Sequence, residues 1–258
     1  MADNETSAIE HFNTAAVHYE KYTGGCTRQL VRLLLDLPEL ADAGAPESVT
    51  EGTVPGIHVV DPAVNMVNIA RGKLDAFNGE HRYKISSNVM PGERLNFDEN
   101  TFTHSITNLG ILFFSDGLAG AKKIHRTLRP GCVAAVTSWS DLGYFEPIIK
   151  LEIRPGESPH QLPISPDWLS PASLESILGQ CGFRDVKVSA MKVHFAAATL
   201  EELVDLLADA FQVIWKDWLD DEKARFRGVV HEKTSRIAEE YTMVDGEKGQ
   251  FWPAYEHR

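Results

Sequence analysis

The sequence predicts an α/β fold built on a doubly wound, mostly parallel sheet. Three observations favour it. Between residues 40 and 190, short apolar runs of strand length alternate with apolar-striped segments of helix length. The run at residues 57–60 ends at Asp61, and Pro62 follows, which suits the first turn of a helix. Pro171 similarly lies at the start of a later helix-length segment. Such alternation is typical of parallel strands joined by helices.

Two helices are expected before the sheet. Apolar side chains recur at helical spacing over residues 12–19, and Gly24 with Gly25 interrupts this pattern. A second apolar stripe begins after Thr27 and ends at Pro38, which cannot continue a helix. We expect residues 1–38 to form an N-terminal helical cap.

The α/β core is expected over residues 39–190. Its first part, residues 40–56, is broken by glycine and proline and predicts no long helix. A turn is predicted at residues 129–131. The expected elements, in order, are a strand at 57–60, a helix at 62–74, a strand within 102–114, a helix at 116–128, a strand at 133–139, a helix at 170–182 and a strand at 183–188.

A helical lid insertion is expected over residues 191–245. Apolar-faced helices are predicted at 200–211 and 213–219, and a mostly polar helix at 222–240. Cap, core and lid together make one domain over residues 1–258. A chain of this length buries roughly three quarters of its unfolded surface, so it needs no metal or disulfide to fold.

Composition excludes several functions. The chain has 37 Asp and Glu residues against 25 Lys and Arg residues, a net charge of −12, which disfavours nucleic acids and anionic membranes as partners. The N-terminal residues are polar, and no apolar run nears the roughly 20 residues that span a bilayer. We therefore expect a cytoplasmic protein. Cys26, Cys132 and Cys181 show no paired spacing, which predicts reduced, buried thiols, and the ten histidines show no metal-ligand spacing.

Five motifs follow one another along the chain. They are Phe-Asn-x-Ala-Ala-x-x-Tyr-x-x-Tyr-Thr-Gly-Gly at 12–25, His-Val-Val-Asp-Pro-x-x-x-Met at 58–66, the segment 95–114, Leu-Arg-Pro-Gly at 128–131 with the strand after it, and Gly-Phe-Arg-Asp-Val-Lys-Val at 182–188. In this order they resemble the class I S-adenosylmethionine-dependent methyltransferases, especially small-molecule enzymes of the ubiquinone and menaquinone type and their relatives in fungal specialised metabolism. The resemblance covers most of the chain and implies a Rossmann-like fold.

The resemblance also implies a cofactor site. In this family, a glycine-rich turn offers backbone N–H groups to the ligand carboxylate, an acid after the second strand binds the ribose, and an acid after the third strand binds the adenine amine. The residues that correspond to cofactor contacts are Asp42, Gly44, Asp61, Met66 and Asn108. For Asp61 the alternative is a helix N-cap, and for Asn108 a hydrogen bond at a strand end.

Two prolines depart from the family pattern. Pro46 stands where the turn has a second glycine, and it has a fixed φ and no N–H to donate. Pro91 stands where the third-strand acid belongs, with Glu93 two residues further on. Each lost hydrogen bond costs about 1–3 kcal/mol, so two or three losses weaken binding by about two to four powers of ten. The expected cofactor is therefore none, or weakly held S-adenosylmethionine.

Other side chains are candidates for contact with a substrate. Aromatic residues in the cap, after the strand at 133–139 and on the lid suit a hydrophobic ligand, with packing inside the fold as the alternative; they are Tyr19, Tyr22, Trp139, Tyr144, Phe145 and Trp215. Three histidines are acid–base candidates, with a surface or satisfied core histidine as the alternative: His104, His160 and His194.

Three functions stay open. The first is an enzyme of specialised metabolism that no longer methylates and acts as a cyclase, pericyclase or isomerase. The second is a working methyltransferase on an O, N or S atom. The third is a non-catalytic partner of an active methyltransferase. We expect a small hydrophobic substrate and no nucleic-acid or membrane partner, and a homodimer is compatible with the sequence.

Overall fold

A computed structural model gives the structure of the chain. It describes residues 2–41, 56–76, 84–141, 143, 164–209, 218–242 and 248–252. Contacts divide the chain into two compact units. The first takes the described residues within 1–17, 34–139 and 163–189, and the second those within 18–33, 140–162 and 190–258. The division of a single domain into cap, core and lid stays a prediction.

The N-terminal residues are helical, as predicted. The elements are α1 (Ala2–Ala15), a 3-10 turn (Ala16–His18), α2 (Tyr19–Tyr22), α3 (Cys26–Leu35) and α4 (Pro38–Ala41). Gly24 and Gly25 separate α2 from α3 with φ values of 53° and 74°, a region that favours glycine. Pro38 does not simply end a helix: it begins the short α4, because proline suits a first helical turn.

Four strands of the first unit pair in parallel. They and the helices between them are β1 (Gly56–Asp61), α5 (Val64–Ala76), β2 (Lys84–Val89), β3 (Phe102–Thr107), α6 (Gly117–Thr127) and β4 (Leu128–Val136). Strand β1 pairs with β2, which places Asp61 opposite Val89. Strand β3 pairs with β4, which places Thr107 opposite Val136. The chain therefore has the predicted α/β fold, with these four strands in two parallel pairs where one continuous sheet was expected.

Local signals placed several helices of this unit correctly. Asp116 caps α6, since its Oδ1 accepts a hydrogen bond from the Ala119 backbone N–H at 2.8 Å. Short 3-10 turns lie at Gly92–Arg94, Ile111–Phe113 and Pro166–Leu169. Ser170 caps α7 (Pro171–Gln180) through its hydroxyl oxygen. The helices expected at 116–128 and 170–182 are confirmed.

Two predicted elements were wrong, and a third is shorter than expected. The apolar run expected to complete the strand within 102–114 forms the 3-10 turn Ile111–Phe113, and Ile111 and Leu112 are buried there without strand pairing. Residues 129–131, expected as a turn, belong to β4, where the pairing with β3 shifts register and Gly131 has a φ of 78°. Residues 183–188 form no strand, since Asp185 interrupts the extended backbone with a φ of 54°.

The second unit combines helices with an antiparallel sheet. Its C-terminal elements are β5 (Phe195–Ala197), α8 (Leu200–Asp209), α9 (Asp220–Ile237), β6 (Glu239–Thr242) and β7 (Lys248–Trp252). The strand order is β5-β7-β6. Two of the predicted lid helices correspond to α8 and α9, but the strands were not predicted, so this region is not purely helical. None of the helices in the described parts of the chain combines the length and apolarity needed to cross a bilayer.

The core of the second unit lies between α8 and α9. Leu203 and Leu207 of α8 pack with Phe226 and Val230 of α9, and all four are buried. The four-residue spacing of each pair puts its members on one helix face. The segment predicted as a mostly polar helix therefore has one apolar face that holds it in place.

The thiols behave as predicted at two of three positions. Cys26 and Cys181 are buried, Cys132 is half-buried, and all three are free. Burial raises the pKa of the Cys26 thiol to about 12. A thiol in that state is protonated and unreactive at neutral pH.

Candidate functional site at the carboxyl ends of the parallel strands

Asp61 ends β1, at the edge of a parallel pair where α/β folds bind ligands. Its Oδ1 accepts a hydrogen bond from the Ala63 backbone N–H at 2.7 Å, which holds the turn into α5. Burial raises the pKa of this carboxyl, and the hydrogen bond from Ala63 opposes the shift. Its Oδ2 has no hydrogen-bond partner among the described residues. The arrangement is compatible with both predicted roles, a cap and a ligand contact. Met66 lies half-buried in the first turns of α5.

The segment after β2 is fixed by a contact of Glu93. Pro91 has φ −68° and ψ 146° and precedes the 3-10 turn Gly92–Arg94. Within that turn, the Glu93 Oε1 accepts hydrogen bonds from the Ser115 backbone N–H at 2.7 Å and from the Ser115 hydroxyl at 3.2 Å. A Cβ on Gly92 would overlap the Phe114 ring, so the turn packs closely. The Oε1 of Glu93, the acid two residues after Pro91 in the chain, is therefore engaged within the fold.

Asn108 follows β3 and takes part in a hydrogen-bond network. The Thr137 hydroxyl donates to the Asn108 Oδ1 at 3.0 Å and accepts from the Leu109 backbone N–H at 2.8 Å. The Thr137 backbone N–H donates to the Thr107 oxygen at 3.0 Å. The network extends the β3–β4 pairing past both strand ends. This contact is the strand-end hydrogen bond that we gave as the alternative role of Asn108. The side-chain amide nitrogen of Asn108 lies at the same strand end.

Ser138 is a residue that sequence reasoning missed. It follows Thr137, and its buried hydroxyl oxygen has no hydrogen-bond partner among the described residues. Leaving such a group unpaired costs about 1–3 kcal/mol, so a ligand that supplies the partner offers a physical reason for it. Trp139, a predicted substrate contact, comes next and is half-buried. No motif marks Ser138; its position after a strand was the one available signal.

His104 is an exposed residue of β3 with both ring nitrogens engaged. Its Nε2 lies 3.1 Å from the Leu40 carbonyl oxygen and its Nδ1 lies 2.9 Å from the Thr103 hydroxyl oxygen. Because a carbonyl only accepts, Nε2 is the donor to Leu40. The ring thus ties β3 to α4. Its acid–base role stays a prediction.

Three other predicted residues belong to the second unit. Tyr22 packs against the core between α8 and α9, which agrees with the packing alternative for this side chain. Tyr19 begins α2 and is half-buried. His194 is half-buried just before β5, and Gln29 of α3 holds it by two hydrogen bonds.

Several predicted residues lie outside the described residues. They include the altered turn position Pro46 and six candidate site residues: Asp42, Gly44, Tyr144, Phe145, His160 and Trp215. In the first unit, the structure thus places Asp61, Asn108 and Trp139 at strand ends, with Met66 close behind Asp61 in the chain.

The chain resembles solved structures only remotely. No protein-family model matches it, and neither does any curated protein. The 4+2 cyclase SpnF is 15% identical, with 90% of this chain and 72% of that chain covered and a TM-score of 0.42. The YcgJ protein of Bacillus subtilis is 11% identical, with 75% and 76% covered and a TM-score of 0.42.

A third similar structure is a methyltransferase from Thermotoga maritima. It is described as SAM-dependent, "possible histamine N-methyltransferase", and is 17% identical, with 67% of this chain and 80% of that chain covered and a TM-score of 0.42. All three likenesses have TM-scores below 0.5. At such TM-scores they carry no reaction, substrate or cofactor over to this chain.

Proposed function

We propose that this chain is a methyltransferase-fold enzyme of specialised metabolism that cyclises or isomerises a small hydrophobic molecule without S-adenosylmethionine. The observation that carries the proposal is the Glu93–Ser115 contact. An adenine amine needs an acceptor after β2, and Pro91 supplies no side-chain acceptor. The carboxylate of Glu93 already accepts from two donors of Ser115.

The described residues therefore fit the cofactor only in part. Asp61 could accept from ribose hydroxyls through its Oδ2. The position that should contact the adenine amine has Pro91 in place of an acid. The close packing of Gly92 against Phe114 opposes a backbone rotation that would turn the Glu93 side chain toward that position. A ligand of another chemistry suits this strand edge better.

The groups that follow the β3–β4 pair suit a reaction controlled by shape. Cyclisation and isomerisation of an unsaturated molecule proceed once a reactive conformer is held in place. The Ser138 hydroxyl and the Asn108 amide nitrogen are donors that can bind a substrate carbonyl as its charge develops. Trp139 follows Ser138 in the chain and adds a half-buried apolar side chain. In this proposal the three residues hold and polarise the substrate, and no acid–base residue is required.

Calorimetry with S-adenosylmethionine and S-adenosylhomocysteine tests the cofactor part of the proposal. We expect dissociation constants weaker than about 1 mM for both. Micromolar binding of either would overturn the proposal. Pro91→Asp supplies the absent acid, and Pro91→Ala is its matched control. Because only the first variant gains an acceptor for the adenine amine, it should bind S-adenosylhomocysteine about tenfold more tightly than the second.

A product assay tests the reaction. The protein is incubated with a panel of unsaturated hydrophobic metabolites, without and with S-adenosylmethionine. Liquid chromatography separates the products and mass spectrometry measures their masses. The proposal expects a new product of unchanged mass in both arms. A product that carries an added methyl group only when S-adenosylmethionine is present contradicts the proposal.

One observation favours a second function, a working methyltransferase. Asp61 keeps the strand-end position of the ribose-binding acid, with Oδ2 available in the described structure. Under this alternative, Asp61→Ala abolishes micromolar nucleoside binding, whereas under the first proposal there is no such binding to lose. Calorimetry of wild type and variant separates the two.

A further inference from the structure

A groove in the second unit has a floor of small residues. It is bounded by α2, α3, β5 and α8, and Gly24, Gly25 and Ala196 to Ala198 line its floor. A Cβ on Gly24 would lie 2.7 Å from the Ala196 backbone nitrogen, and the Gly24 oxygen accepts a hydrogen bond from that nitrogen at 3.1 Å. The floor is therefore rigid, and its short side chains leave space above it.

The charged residues around the groove are mostly basic. Lys21, Arg28 and Arg32 line it together with Glu20 and Glu202, three cations against two carboxylates, in a chain whose net charge is −12. Two of the cations are in ion pairs. The Arg28 Nε lies 2.8 Å from the Glu20 Oε1, and the Lys21 Nζ lies 3.3 Å from the Glu202 Oε1. Arg32 has no ion-pair partner among the described residues. It lies four residues after Arg28, so both guanidinium groups are on one face of α3.

Gln29 determines which ring nitrogen of His194, a residue that lines the groove, carries the proton. The His194 backbone N–H donates to the Gln29 Oε1 at 2.8 Å, which fixes the orientation of the amide. The amide Nε2 then lies 3.4 Å from the ring Nδ1. An amide nitrogen only donates, so Nδ1 accepts and the ring proton lies on Nε2. Burial and the charge of Lys192 lower the pKa of His194, which favours this neutral form.

We propose that this groove binds a small molecule through an oxyanion, a carboxylate or a phosphate group. Arg32 and the terminal nitrogens of Arg28 supply the fork-shaped donors that bind such groups. The floor of glycine and alanine accommodates the rest of the ligand. The inference does not depend on the reaction at the strand edge of the first unit.

Nuclear magnetic resonance titration of the full chain tests this site. The probes are benzoate, phenyl phosphate and, as the neutral control, benzyl alcohol. We expect at least one anion to shift backbone resonances of the groove residues with a dissociation constant of about 1 mM or tighter. Benzyl alcohol should shift none of them. The dissociation constants of benzoate and phenyl phosphate show whether the groove prefers a carboxylate or a phosphate. If neither anion shifts the resonances of the groove residues, the proposal is overturned.

Two variants of equal charge separate a site from general attraction. Arg32→Gln should weaken anion binding by about tenfold or more, because a hydrogen bond to a charged group is lost. Arg225→Gln removes the same charge from α9, where Arg225 lies 3.7 Å from Asp221, and should leave the affinity unchanged. Equal weakening by both variants contradicts a built site.

The positioning role of Gln29 has its own readout. A long-range proton–nitrogen spectrum distinguishes the two neutral forms of His194, and it should show the proton on Nε2 in the wild type. Gln29→Met keeps the side-chain length and removes the amide, so it should yield a mixture of the two neutral forms of His194. Thermal unfolding checks that the variant is folded. A wild-type ring protonated on Nδ1 overturns this role of Gln29.

Discussion

The Glu93 carboxylate accepts both the backbone N–H and the hydroxyl of Ser115, 22 residues further along the chain. One side chain thus joins the turn after β2 to the segment that leads into α6. The same contact turns the Glu93 Oε1 toward Ser115. The stability of this turn therefore depends on these two residues.

Removing the Glu93 side chain should destabilise the fold. Glu93→Ala leaves the Ser115 backbone N–H without its acceptor, and we expect a loss of about 1–3 kcal/mol in the free energy of unfolding. Ser115→Ala removes only the hydroxyl bond and should cost about 0.5–1.5 kcal/mol. Urea unfolding measures both. Equal effects of the two variants would show that the backbone hydrogen bond contributes nothing.

Close packing at Gly92 should make it intolerant of a larger residue. A Cβ there overlaps the Phe114 ring, so Gly92→Ala should lower the free energy of unfolding by about 1–3 kcal/mol. Gly72 of α5 is the matched control, since a Cβ there meets nothing within 4 Å. Gly72→Ala should stabilise by about 0.5–1 kcal/mol. Thermal and urea unfolding of both variants check the contrast, and a neutral Gly92→Ala refutes it.

Asp61 should make stability depend on pH in a defined direction. Burial raises the pKa of its carboxyl, so the folded chain holds this proton more tightly than the unfolded chain. The stability that the group contributes is greatest at low pH. It falls as the pH rises from about 4, the ordinary value, through the raised value, and is constant above it.

The isosteric change Asp61→Asn isolates that contribution. The amide oxygen can still accept from the Ala63 N–H, but it no longer titrates. Relative to this variant, the wild type should lose stability as the pH rises through the window and then stay level. Unfolding curves at a series of pH values measure the difference, and a wild type that gains stability over the window contradicts the assigned shift.

Ser138 should show opposite effects on stability and on function. Ser138→Ala removes a buried hydroxyl that has no described partner, so the ligand-free protein should gain up to about 1–3 kcal/mol in stability. Binding or turnover of the substrate should fall in the same variant. The exposed Ser140 is the control, and Ser140→Ala should change neither property. A large loss of stability in Ser138→Ala would show that the hydroxyl has a structural partner.

The attachment of α9 should depend on its apolar face far more than on its charges. Phe226 is 5% exposed in the core, and Phe226→Ala should cost about 3–5 kcal/mol. Arg227 is exposed and pairs with Asp205 at 2.6 Å and Glu201 at 3.2 Å, yet Arg227→Ala should cost less than about 1 kcal/mol. Urea unfolding compares the two, and similar losses would mean that the ion pairs hold the helix.

Features set by neighbours in the chain could be predicted from the sequence. Asp116, Ser170 and Pro171 mark helix starts because capping and proline geometry act within a few residues. The apolar run before Asp61 likewise predicted β1. Such signals were enough for the α/β class and for the position of Asp61.

Features set by distant residues could not be predicted. Lys84–Val89 is a strand with two serines and an asparagine at its centre, and its pairing with β1 overrides a weak local preference. Gln29 and His194 are 165 residues apart, and no spacing rule connects them. Whether Glu93 faces a ligand or Ser115 depends on tertiary packing that a motif does not contain.

The order of the second sheet has a consequence for how this protein is made. Strand β7 comes last among the described strands, yet it lies in the middle, between β5 and β6. Until the ribosome has synthesised β7, β5 and β6 lack their pairing partner. Their unpaired backbone edges can then pair with other chains. Truncation of the chain before Lys248 would leave both edges unpaired permanently.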